Sequence, residues 1–195
     1  ILGRQGIDSR MKTDLKHIHH NAELLMDAIN QLLDFRKLDD GMSRLNLSHG
    51  NLTGLVKEVC KSFRPYSINK KIRLNLNLTT EDIKLNFDKD KMRRIIVNLL
   101  SNAYKFNTEN GTIDVTLDIA THEGMEMVRL AVADTGIGIS DEGKTRVFER
   151  FYQESGLDEN TGSGIGLNIV KEYVRMHGGS ISVTDNHPKG TVFTV

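Results

Sequence analysis

Two turns in which glycine occupies alternate positions constrain the fold of this 195-residue chain more than any other feature. The first runs through Gly136 and Gly138, and the second through Gly162, Gly164 and Gly166. Glycine lets the main chain adopt positive φ and approach a ligand without a Cβ in the way. Both turns follow a helix-like run, so the order of these parts predicts a ligand pocket lined by main chain.

The composition is that of an ordinary globular protein, with 38% hydrophobic residues. The formal net charge is zero, which gives no overall attraction to nucleic acid or to anionic lipid. No run approaches the roughly 18 apolar residues that cross a bilayer, so we expect neither a nucleic acid partner nor membrane contact in this segment. The single cysteine, Cys60, has no partner for a disulfide or a zinc site, which fits a reducing cytoplasmic compartment.

The first part of the chain predicts a long helix. Between residues 15 and 32 the apolar residues recur at alternating steps of three and four, at Leu15, Ile18, Ala22, Leu25, Ile29 and Leu32. This heptad pattern is typical of a helix that packs along a partner helix. Because no other long heptad segment is present, we expect the partner outside this chain, in a dimeric helical bundle. Gly41 suits the C-terminal stop of the helix.

The remaining residues predict a two-layer α+β domain. Residues 51–63 predict a helix that ends before Pro65, and a second helix capped by Asp88 or Asp90 runs to about Phe106. Further patterns predict strands at 72–78, 83–87, 112–119, 127–132, 180–184 and 191–195, and a helix at 163–177. The expected architecture is an antiparallel or mixed sheet with helices on one face. Since the chain starts abruptly at Ile1 and stops within a strand-like run, we expect it to be a piece of a longer protein.

Three polar residues share one face of the second predicted helix. Asn98, Asn102 and Lys105 are spaced i, i+4 and i+7, which places two amide oxygens and one ammonium on the same side. Mg²⁺ prefers oxygen ligands and touches substrate phosphates, while a lysine supplies positive charge for those phosphates. The set therefore suits a metal phosphate, although a solvated polar face has the same spacing.

Asp134 stands where an apolar strand ends and the first glycine turn begins. Its carboxylate only accepts hydrogen bonds, so it matches a ligand amino group such as the 6-amino group of adenine. In this interpretation Gly136 and Gly138 keep side chains away from the adenine ring. An isolated Asp-Thr-Gly triplet is more often a turn or a helix cap.

The second glycine turn opens the last predicted helix, whose main-chain N–H groups attract phosphate oxygens. The spacing of Gly162, Gly164 and Gly166 is not that of a dinucleotide-binding fingerprint, and no Gly-Lys-Ser/Thr follows. We expect the triphosphate end of a nucleotide here, with the polar residues 153–161 ordered by the ligand. A plain flexible loop is the alternative.

An aromatic cluster precedes this loop. Phe148, Phe151 and Tyr152 flank Glu149 and Arg150. Aromatic residues at this spacing are core packing by default, and anchoring of the loop is the alternative.

Together these motifs resemble the catalytic ATP-binding domain of sensor histidine kinases, within the gyrase, Hsp90, histidine kinase and MutL superfamily that shares the Bergerat fold. The segments that look like the family's N, G1, F and G2 boxes and its last glycine motif are 98–106, 134–139, 148–152, 162–167 and 190–191. On this resemblance residues 48–195 form the catalytic domain. Residues 1–47 look like the second helix of the dimerisation and phosphotransfer hairpin of hybrid two-component sensors. The run that carries this resemblance is residues 30–38.

The resemblance implies a fragment that binds Mg-ATP and passes the γ-phosphoryl group to a histidine on an absent first hairpin helix, then to an aspartate of a response-regulator receiver domain. It implies that Asn102 and Asn98 hold Mg²⁺, that Lys105 contacts phosphate and that Asp134 binds the adenine amino group. The other implied cofactor-binding residues are Phe106, Gly136, Gly138, Ile139, Phe151, Gly162, Gly164, Gly166, Leu167 and Thr191. A homodimer through the N-terminal helix is also implied.

One departure from the family pattern concerns the phosphoacceptor. The family carries it in a His-Glu-x-x-x-Pro type of motif, and the only prolines here are Pro65 and Pro188. We therefore assign no catalytic residue within this chain. Three histidines near the N-terminus are interpreted as helix-face residues, namely His17, His19 and His20.

A second departure is Arg94, at the position where gyrase-like ATPases place a glutamate base. Arginine cannot take a proton from water at neutral pH, so efficient ATP hydrolysis is not expected. The alternatives with the same pocket are an ATP-driven conformational machine of the MutL or Hsp90 kind and an anti-sigma serine kinase.

Overall fold

A computed structural model describes residues 9–122, 124–154 and 163–195 of the chain. The chain divides into two compact units, and the division falls between Met42 and Ser43. In the described part of the chain, no helix is both long and apolar enough to cross a membrane. Gly162 and most of the predicted loop at 153–161 lie outside the described residues.

The first unit contains one described helix, α1 (Ser9–Asp39), which spans the heptad pattern. It ends as the sequence predicted, because Gly41 adopts a φ of +64°. The main-chain N–H of Met42 then donates to the carbonyl of Lys37 at 3.1 Å. A left-handed residue just after the last turn is a common way to satisfy helix-end carbonyls.

The described side chains of the heptad stripe on α1 are exposed. Ile18 and Leu25, for example, are 64% and 63% exposed, and Ile29 and Leu32 are also largely open to solvent. A helix with such an apolar stripe gains most of its stability by packing the stripe against another element. The partner helix remains a prediction.

The second unit contains the other elements. In chain order they are β1 (Ser48–Asn51), α2 (Leu52–Ser62), α3 (Arg64–Lys70), β2 (Arg73–Leu78), β3 (Lys84–Phe87), α4 (Lys89–Lys105), β4 (Thr112–His122), β5 (Met125–Asp134), α5 (Asp141–Arg146), α6 (Gly166–Met176), β6 (Ser182–Asp185) and β7 (Thr191–Thr194).

A five-stranded sheet in the order β2-β4-β5-β7-β6 organises this unit. β2 and β4 are parallel, and the other neighbours are antiparallel. Side chains alternate between the two faces of each strand, so Ile113, Val115 and Leu117 of β4 are fully buried on the inner face. The mixed sheet is one of the two arrangements that the sequence predicted.

Helices α2, α4 and α6 supply the other half of the core. α4 lies between the other two and contributes the fully buried Ile95 and Leu99, while Val56 of α2 and Val170 of α6 are equally buried. Each helix carries its apolar residues at helical spacing, which forces one face onto the sheet. The predicted two-layer α+β fold is confirmed.

Polar contacts join the start of α4 to the end of α6. Asp88 is the N-cap of α4, and its carboxylate accepts from the main-chain N–H of Lys91 at 3.0 Å and of Asn46 at 2.9 Å. The Lys91 ammonium lies 2.7 Å from the same carboxylate. The main-chain N–H of Asp88 donates to Nε2 of His177, just after α6. Of the two predicted caps, Asp88 is therefore the one used.

Several elements differ from the predictions. Residues 48–51, for which no strand was predicted, form β1 and pair with β3 in a separate two-stranded sheet. α3 was not predicted; it follows Phe63 directly, because Pro65 sits in the first turn, where a missing N–H costs nothing. α5, capped by the Ser140 hydroxyl, was also not predicted. α6 begins at Gly166 rather than at residue 163.

Candidate functional site

The polar face of α4 lies opposite its buried stripe. Ile95 and Leu99 are fully buried, whereas Asn98 and Asn102 are half-buried and Lys105 is exposed. The predicted division of this helix into an apolar and a polar face is confirmed. Two amide groups and one ammonium therefore stand on the accessible side of a rigid, well-packed helix.

Gly166 brings the start of α6 directly against Asn98. A Cβ on Gly166 would lie 2.6 Å from Oδ1 of Asn98, closer than real Cβ atoms approach. The Asn98 Nδ2 donates to the carbonyl of Arg94 at 2.9 Å, which leaves Oδ1 on the side of α6. An amide oxygen thus lies beside a helix N-terminus, where main-chain N–H groups favour anions.

The first glycine turn is bonded to the C-terminal end of α4. The main-chain N–H of Ile137 donates to the carbonyl of Phe106 at 3.1 Å. Gly136 lies so close to the same carbonyl that a Cβ would overlap it. The Lys105 ammonium lies 5.0 Å from the centroid of the Phe106 ring, within cation–π range. The predicted N-box residues and the first turn are therefore neighbours.

Asp134 is the buried acid of this region and is only 5% exposed. Its Oδ1 accepts from the main-chain N–H of Gly136 at 2.8 Å, and the main-chain N–H of Thr191 also donates to the carboxylate. Burial raises the pKa of Asp134 above its ordinary value, and these two hydrogen bonds oppose the rise only in part. The group is a strong acceptor held in a fixed place at a strand end.

Gly138 and Gly190 lie next to each other beside Asp134. Both have positive φ, of 81° and 122°. Gly190 packs on the main-chain carbonyl of Asp134 with no room for a Cβ, and its own carbonyl lies 3.7 Å from where a Cβ on Gly138 would be. Thr191 follows and pairs with Asp134 between β7 and β5. The first turn and the last glycine motif are thus in contact.

Core packing and loop anchoring were the two interpretations of the aromatic residues before the loop, and the structure differs from one residue to the next. Phe148 is core packing, because its ring meets the buried Phe193 edge-on with centroids 6.2 Å apart. Phe151 is 62% exposed, has a φ of +62°, and donates its main-chain N–H to the carbonyl of Gly164 at 3.0 Å. Phe151 and Gly164 therefore bond to each other across the segment 155–162, which lies outside the described residues.

Two other predicted residues are half-buried at the edges of this region. Ile139 reaches toward Gly143 of α5, and Leu167 follows Gly166 in the first turn of α6.

Comparisons with known proteins identify the family of this chain. A family profile described as "Histidine kinase-, DNA gyrase B-, and HSP90-like ATPase" matches residues 87–195. The chain belongs to this family.

Relatives of the kinase domain are sensor kinases. The chain is 35% identical over 183 residues to "Histidine kinase P4" of Formosa agariphila, a match that covers 91% of this chain and 13% of the relative. It is 34% identical over 201 residues to "Hybrid signal transduction histidine kinase D" of Dictyostelium discoideum, covering 100% of this chain and 13% of the relative. The chain therefore spans a small part of the length of both proteins.

Solved structures of histidine kinases share the fold. Full-length ShkA in complex with AMPPNP matches with a TM-score of 0.77 and 26% identity, over 97% of this chain and 39% of ShkA. The nucleotide-free catalytic domain of ThkA matches with a TM-score of 0.67 and 28% identity, over 76% of this chain and 93% of that domain. ThkA in complex with the response regulator protein TrrA, at 23% identity and a TM-score of 0.69, covers 100% of this chain and 52% of that one, and shows the fold alone. The chain contains the histidine kinase ATPase domain of a two-component sensor kinase.

A cleft of about 430 Å³ lies beside the F box of the kinase domain. It is lined by α5 and by residues 149–154, and Phe151 is the predicted site residue that it shares. Asn98, Asn102, Lys105 and Asp134 lie outside this cleft. Its walls carry charges of both signs, which distinguishes it from the glycine-lined region around Asp134.

Sequence reasoning missed two polar residues behind the kinase's G1 turn. The side-chain amide of Asn186 donates to the main-chain carbonyl of Asp134 at 2.8 Å. The Lys144 ammonium bridges Asp141 at 2.7 Å and Asp185 at 2.6 Å. The one available signal was the position of Asn186, in a turn-forming run just before the last glycine motif.

Proposed function

We propose that this chain binds Mg-ATP and, in its parent protein, donates the γ-phosphoryl group to a histidine on the first hairpin helix. The observation that carries the proposal is the convergence of the polar face of α4, the Asp134 turn and the start of α6. Asn98 lies against Gly166, and the Phe106 carbonyl is bonded to Ile137. This contact chain supports a single ligand that touches all three segments.

Each end of the nucleotide then has its own contacts. Asp134 accepts a hydrogen bond from the adenine 6-amino group, and Phe106 lies beside the adenine ring. Lys105 provides positive charge for the phosphates, and Gly162, Gly164, Gly166 and the N-terminus of α6 provide main-chain donors. Gly136, Gly138, Ile139, Phe151, Leu167 and Thr191 complete the proposed binding residues.

The proposed metal ligands are Asn102 and Asn98. Amide oxygens suit Mg²⁺, which binds phosphates and water and needs few protein ligands. Oδ1 of Asn98 already lies at the start of α6, where the phosphates are proposed to bind. Bound Mg²⁺ would neutralise charge on the phosphates, and the side chains of α4 would hold it in line with them.

Phosphoryl transfer fits this site better than ATP hydrolysis does. The reaction depends on positioning and on charge neutralisation, so the ATP-binding domain needs no general base of its own. Arg94, one helical turn before Asn98, cannot act as a base toward water. The sensor kinases at 35% and 34% identity support the same choice over the ATPase and serine kinase alternatives.

The proposal also assigns the domains and partners. Residues 1–47 supply the second helix of a dimerisation hairpin and pair with a second copy of the chain, while residues 48–195 form the catalytic domain. A receiver domain then accepts the phosphoryl group on an aspartate, a step supported by the hybrid signal transduction histidine kinase among the relatives. The catalytic domain acts in the cytoplasm.

A phosphorylation assay tests this function. The chain is extended at its N-terminus with the upstream hairpin helix of its parent and incubated with γ-labelled ATP and Mg²⁺. We expect an acid-labile, alkali-stable label on histidine, and we expect Asn102→Ala to abolish it. An acid-stable label would indicate a serine kinase, and steady phosphate release without protein labelling would indicate an ATPase; either result would overturn the proposal.

A further inference from the structure

The turn between β6 and β7 contacts the main chain behind Asp134. The Asn186 side-chain amide donates to the Asp134 carbonyl at 2.8 Å, and the Asn186 main-chain N–H donates to the carbonyl of Gly190 at 3.0 Å. Asn186 is therefore held by its main chain while its side chain holds Asp134. The two residues are 52 positions apart in the sequence.

This contact continues the hydrogen bonding beyond the last rung of the sheet. The register of β5 and β7 ends with the pair Asp134 and Thr191, after which β5 turns into the first glycine turn. Gly190 also packs on the Asp134 carbonyl, and the Thr191 N–H donates to the Asp134 carboxylate. The N–H of the same peptide belongs to Thr135 and donates to the carbonyl of Thr112 at 3.1 Å, so Asn186 completes the hydrogen bonding of this peptide at its carbonyl.

The β6–β7 turn is itself tied to α5. The Lys144 side chain is 18% exposed, and its ammonium bonds to Asp141 of α5 and to Asp185, the last residue of β6. α5 begins shortly after the first glycine turn, so this bridge holds the turn that carries Asn186 against the segment that follows Asp134. Lys144 thus links α5 to the end of β6, directly before Asn186.

We propose that Asn186 is a positioning residue that directs the Asp134 carboxylate toward the purine 6-position and so sets the preference for a 6-amino over a 6-oxo purine. The inference rests on the proposed nucleotide-binding function, because it assigns base discrimination to the same site. A site built to accept a hydrogen bond discriminates through the alignment of that acceptor, so a carboxylate free to turn away discriminates poorly.

Calorimetric titration of the whole chain with ADP and with inosine diphosphate, in the presence of Mg²⁺, tests the inference. We expect wild type to prefer ADP. Asn186→Ala should weaken ADP binding by about tenfold, the size of one lost charged hydrogen bond, and change inosine diphosphate binding by less than about twofold. A role in folding alone would lower the affinities for both nucleotides together or leave both unchanged.

Asn75→Ala is the matched control. Asn75 also donates its side-chain amide to a neighbouring strand, at 2.8 Å to Asp114, on the opposite face of the sheet from α4. The Asn75→Ala variant should keep the wild-type preference for ADP over inosine diphosphate. If Asn186→Ala unfolds at a lower temperature than wild type, Asn186→Asp is the second variant, because it keeps the size of the side chain while removing its donor. We expect the same loss of preference for ADP in this variant.

A double-mutant cycle with Asp134→Asn identifies the route of the effect. If Asn186 acts through the Asp134 carboxylate, Asn186→Ala should weaken ADP binding in wild type and add no further loss in the Asp134→Asn background. An unchanged ratio of ADP to inosine diphosphate affinity in both Asn186 variants, or an additive loss in the cycle, would overturn the inference alone. Failure of wild type to bind ADP would overturn the proposed function as well.

Discussion

Asp134 combines a cost to stability with its proposed role in binding. It is buried at a strand end and receives two main-chain hydrogen bonds, but burial still raises its pKa above the ordinary value. A carboxylate in such a place is poorly solvated when ionised, and it is also a fixed acceptor for a ligand amino group. Poor solvation of an ionisable group is common at functional sites.

Asp134→Asn tests both the stability cost of the buried carboxylate and its proposed role in nucleotide binding. Because the folded pKa is raised, the folded protein binds the proton more tightly than the unfolded chain, so stability falls as pH rises through the interval between the two pKa values. At neutral pH the variant should therefore match or exceed wild type in free energy of unfolding, and the difference should narrow as pH is lowered. Urea unfolding at several pH values measures this.

The same variant should bind ADP about 10- to 100-fold more weakly, since a hydrogen bond to a charged group contributes about 1.5–3 kcal/mol. Asp90→Asn, at an exposed position in α4, is the control and should change neither property. A variant that is less stable than wild type by the same amount at every pH would contradict this description of Asp134.

Candidate site residues could be predicted from the sequence where their position follows from neighbouring residues in the chain. Asn98, Asn102 and Lys105 could be placed on one face because helical spacing determines it, and Asp134 could be placed at a strand end by the apolar run before it. The contact of Asn186 with Asp134 joins residues 52 positions apart and follows no local period. Only the sheet register brings them together.

At the scale of elements, the junction of α4 and α6 depends on Gly166. In Gly166→Ala, greater helix propensity offsets the contact with Asn98, so the free energy of unfolding should change by less than about 1 kcal/mol. The new Cβ nevertheless displaces Oδ1 of Asn98, and affinity for Mg-ADP should fall by about tenfold. Calorimetry and urea unfolding of the same samples separate the two effects.

Gly54→Ala in α2 is the control for this substitution. Its Cβ would lie 3.4 Å from the Asn51 side chain, an ordinary contact, so the variant should gain about 0.5–1 kcal/mol of stability and bind Mg-ADP as wild type does. Wild-type affinity in Gly166→Ala would show that the position of Asn98 does not affect the metal nucleotide.

The cap of α4 is a second prediction at this scale. Asp88→Ala removes the N-cap, leaves the Asn46 main-chain N–H without its side-chain acceptor and leaves the Lys91 ammonium with the carbonyl of Arg44, so the free energy of unfolding should drop by about 1–2 kcal/mol. Asp90→Ala, two residues later and exposed, should cost less than about 0.5 kcal/mol. Thermal and urea unfolding give the comparison.

The contribution of Asp88 also depends on pH. Burial acts to raise its pKa, but hydrogen bonds from Lys91 and Asn46 outweigh burial and hold the pKa below the ordinary value. A carboxyl with a lowered folded pKa stabilises the protein above its unfolded pKa, and this stabilisation is lost as pH falls through the folded pKa. A gap between wild type and Asp88→Ala that stays constant down to acid pH would contradict this.

Elements with a clear period could be predicted, and those set by a distant partner could not. The alternation of Ile72, Leu74, Leu76 and Leu78 predicted β2, whose side chains alternate in burial as expected. β1 has only four residues, and it becomes a strand because β3 pairs with it. α3 was missed because Pro65 suggested an end, whereas proline in a first turn suits a helix start.

At the scale of the whole molecule, the exposed stripe on α1 predicts self-association. The chain should show concentration-dependent dimers in sedimentation equilibrium, because an apolar helix face gains free energy from burial against a second helix. Leu25→Glu combined with Leu32→Glu should shift the chain to monomer, while Asn30→Glu, exposed on the same helix, should not. A monomer at all concentrations would mean that the second copy cannot pair without the first hairpin helix.

The sequence predicted the overall organisation better than the connections between its parts. Heptads followed by alternating helices and strands indicated a helical segment and a two-layer domain, and the order of glycine turns indicated one site. The parallel pairing of β2 with β4 and the position of the β6–β7 turn behind Asp134 depend on long-range packing, for which local spacing carries no signal.

The most direct test of the central claim is calorimetric titration of the chain with AMPPNP, with Mg²⁺ and with EDTA, for wild type, Asp134→Asn and Asn102→Ala. If the α4 face, the Asp134 turn and the start of α6 bind one metal nucleotide, Asp134→Asn should weaken binding in both conditions and Asn102→Ala mainly in Mg²⁺. Absence of wild-type binding, or affinity that is unaffected by Mg²⁺ and by both substitutions, would contradict the claim.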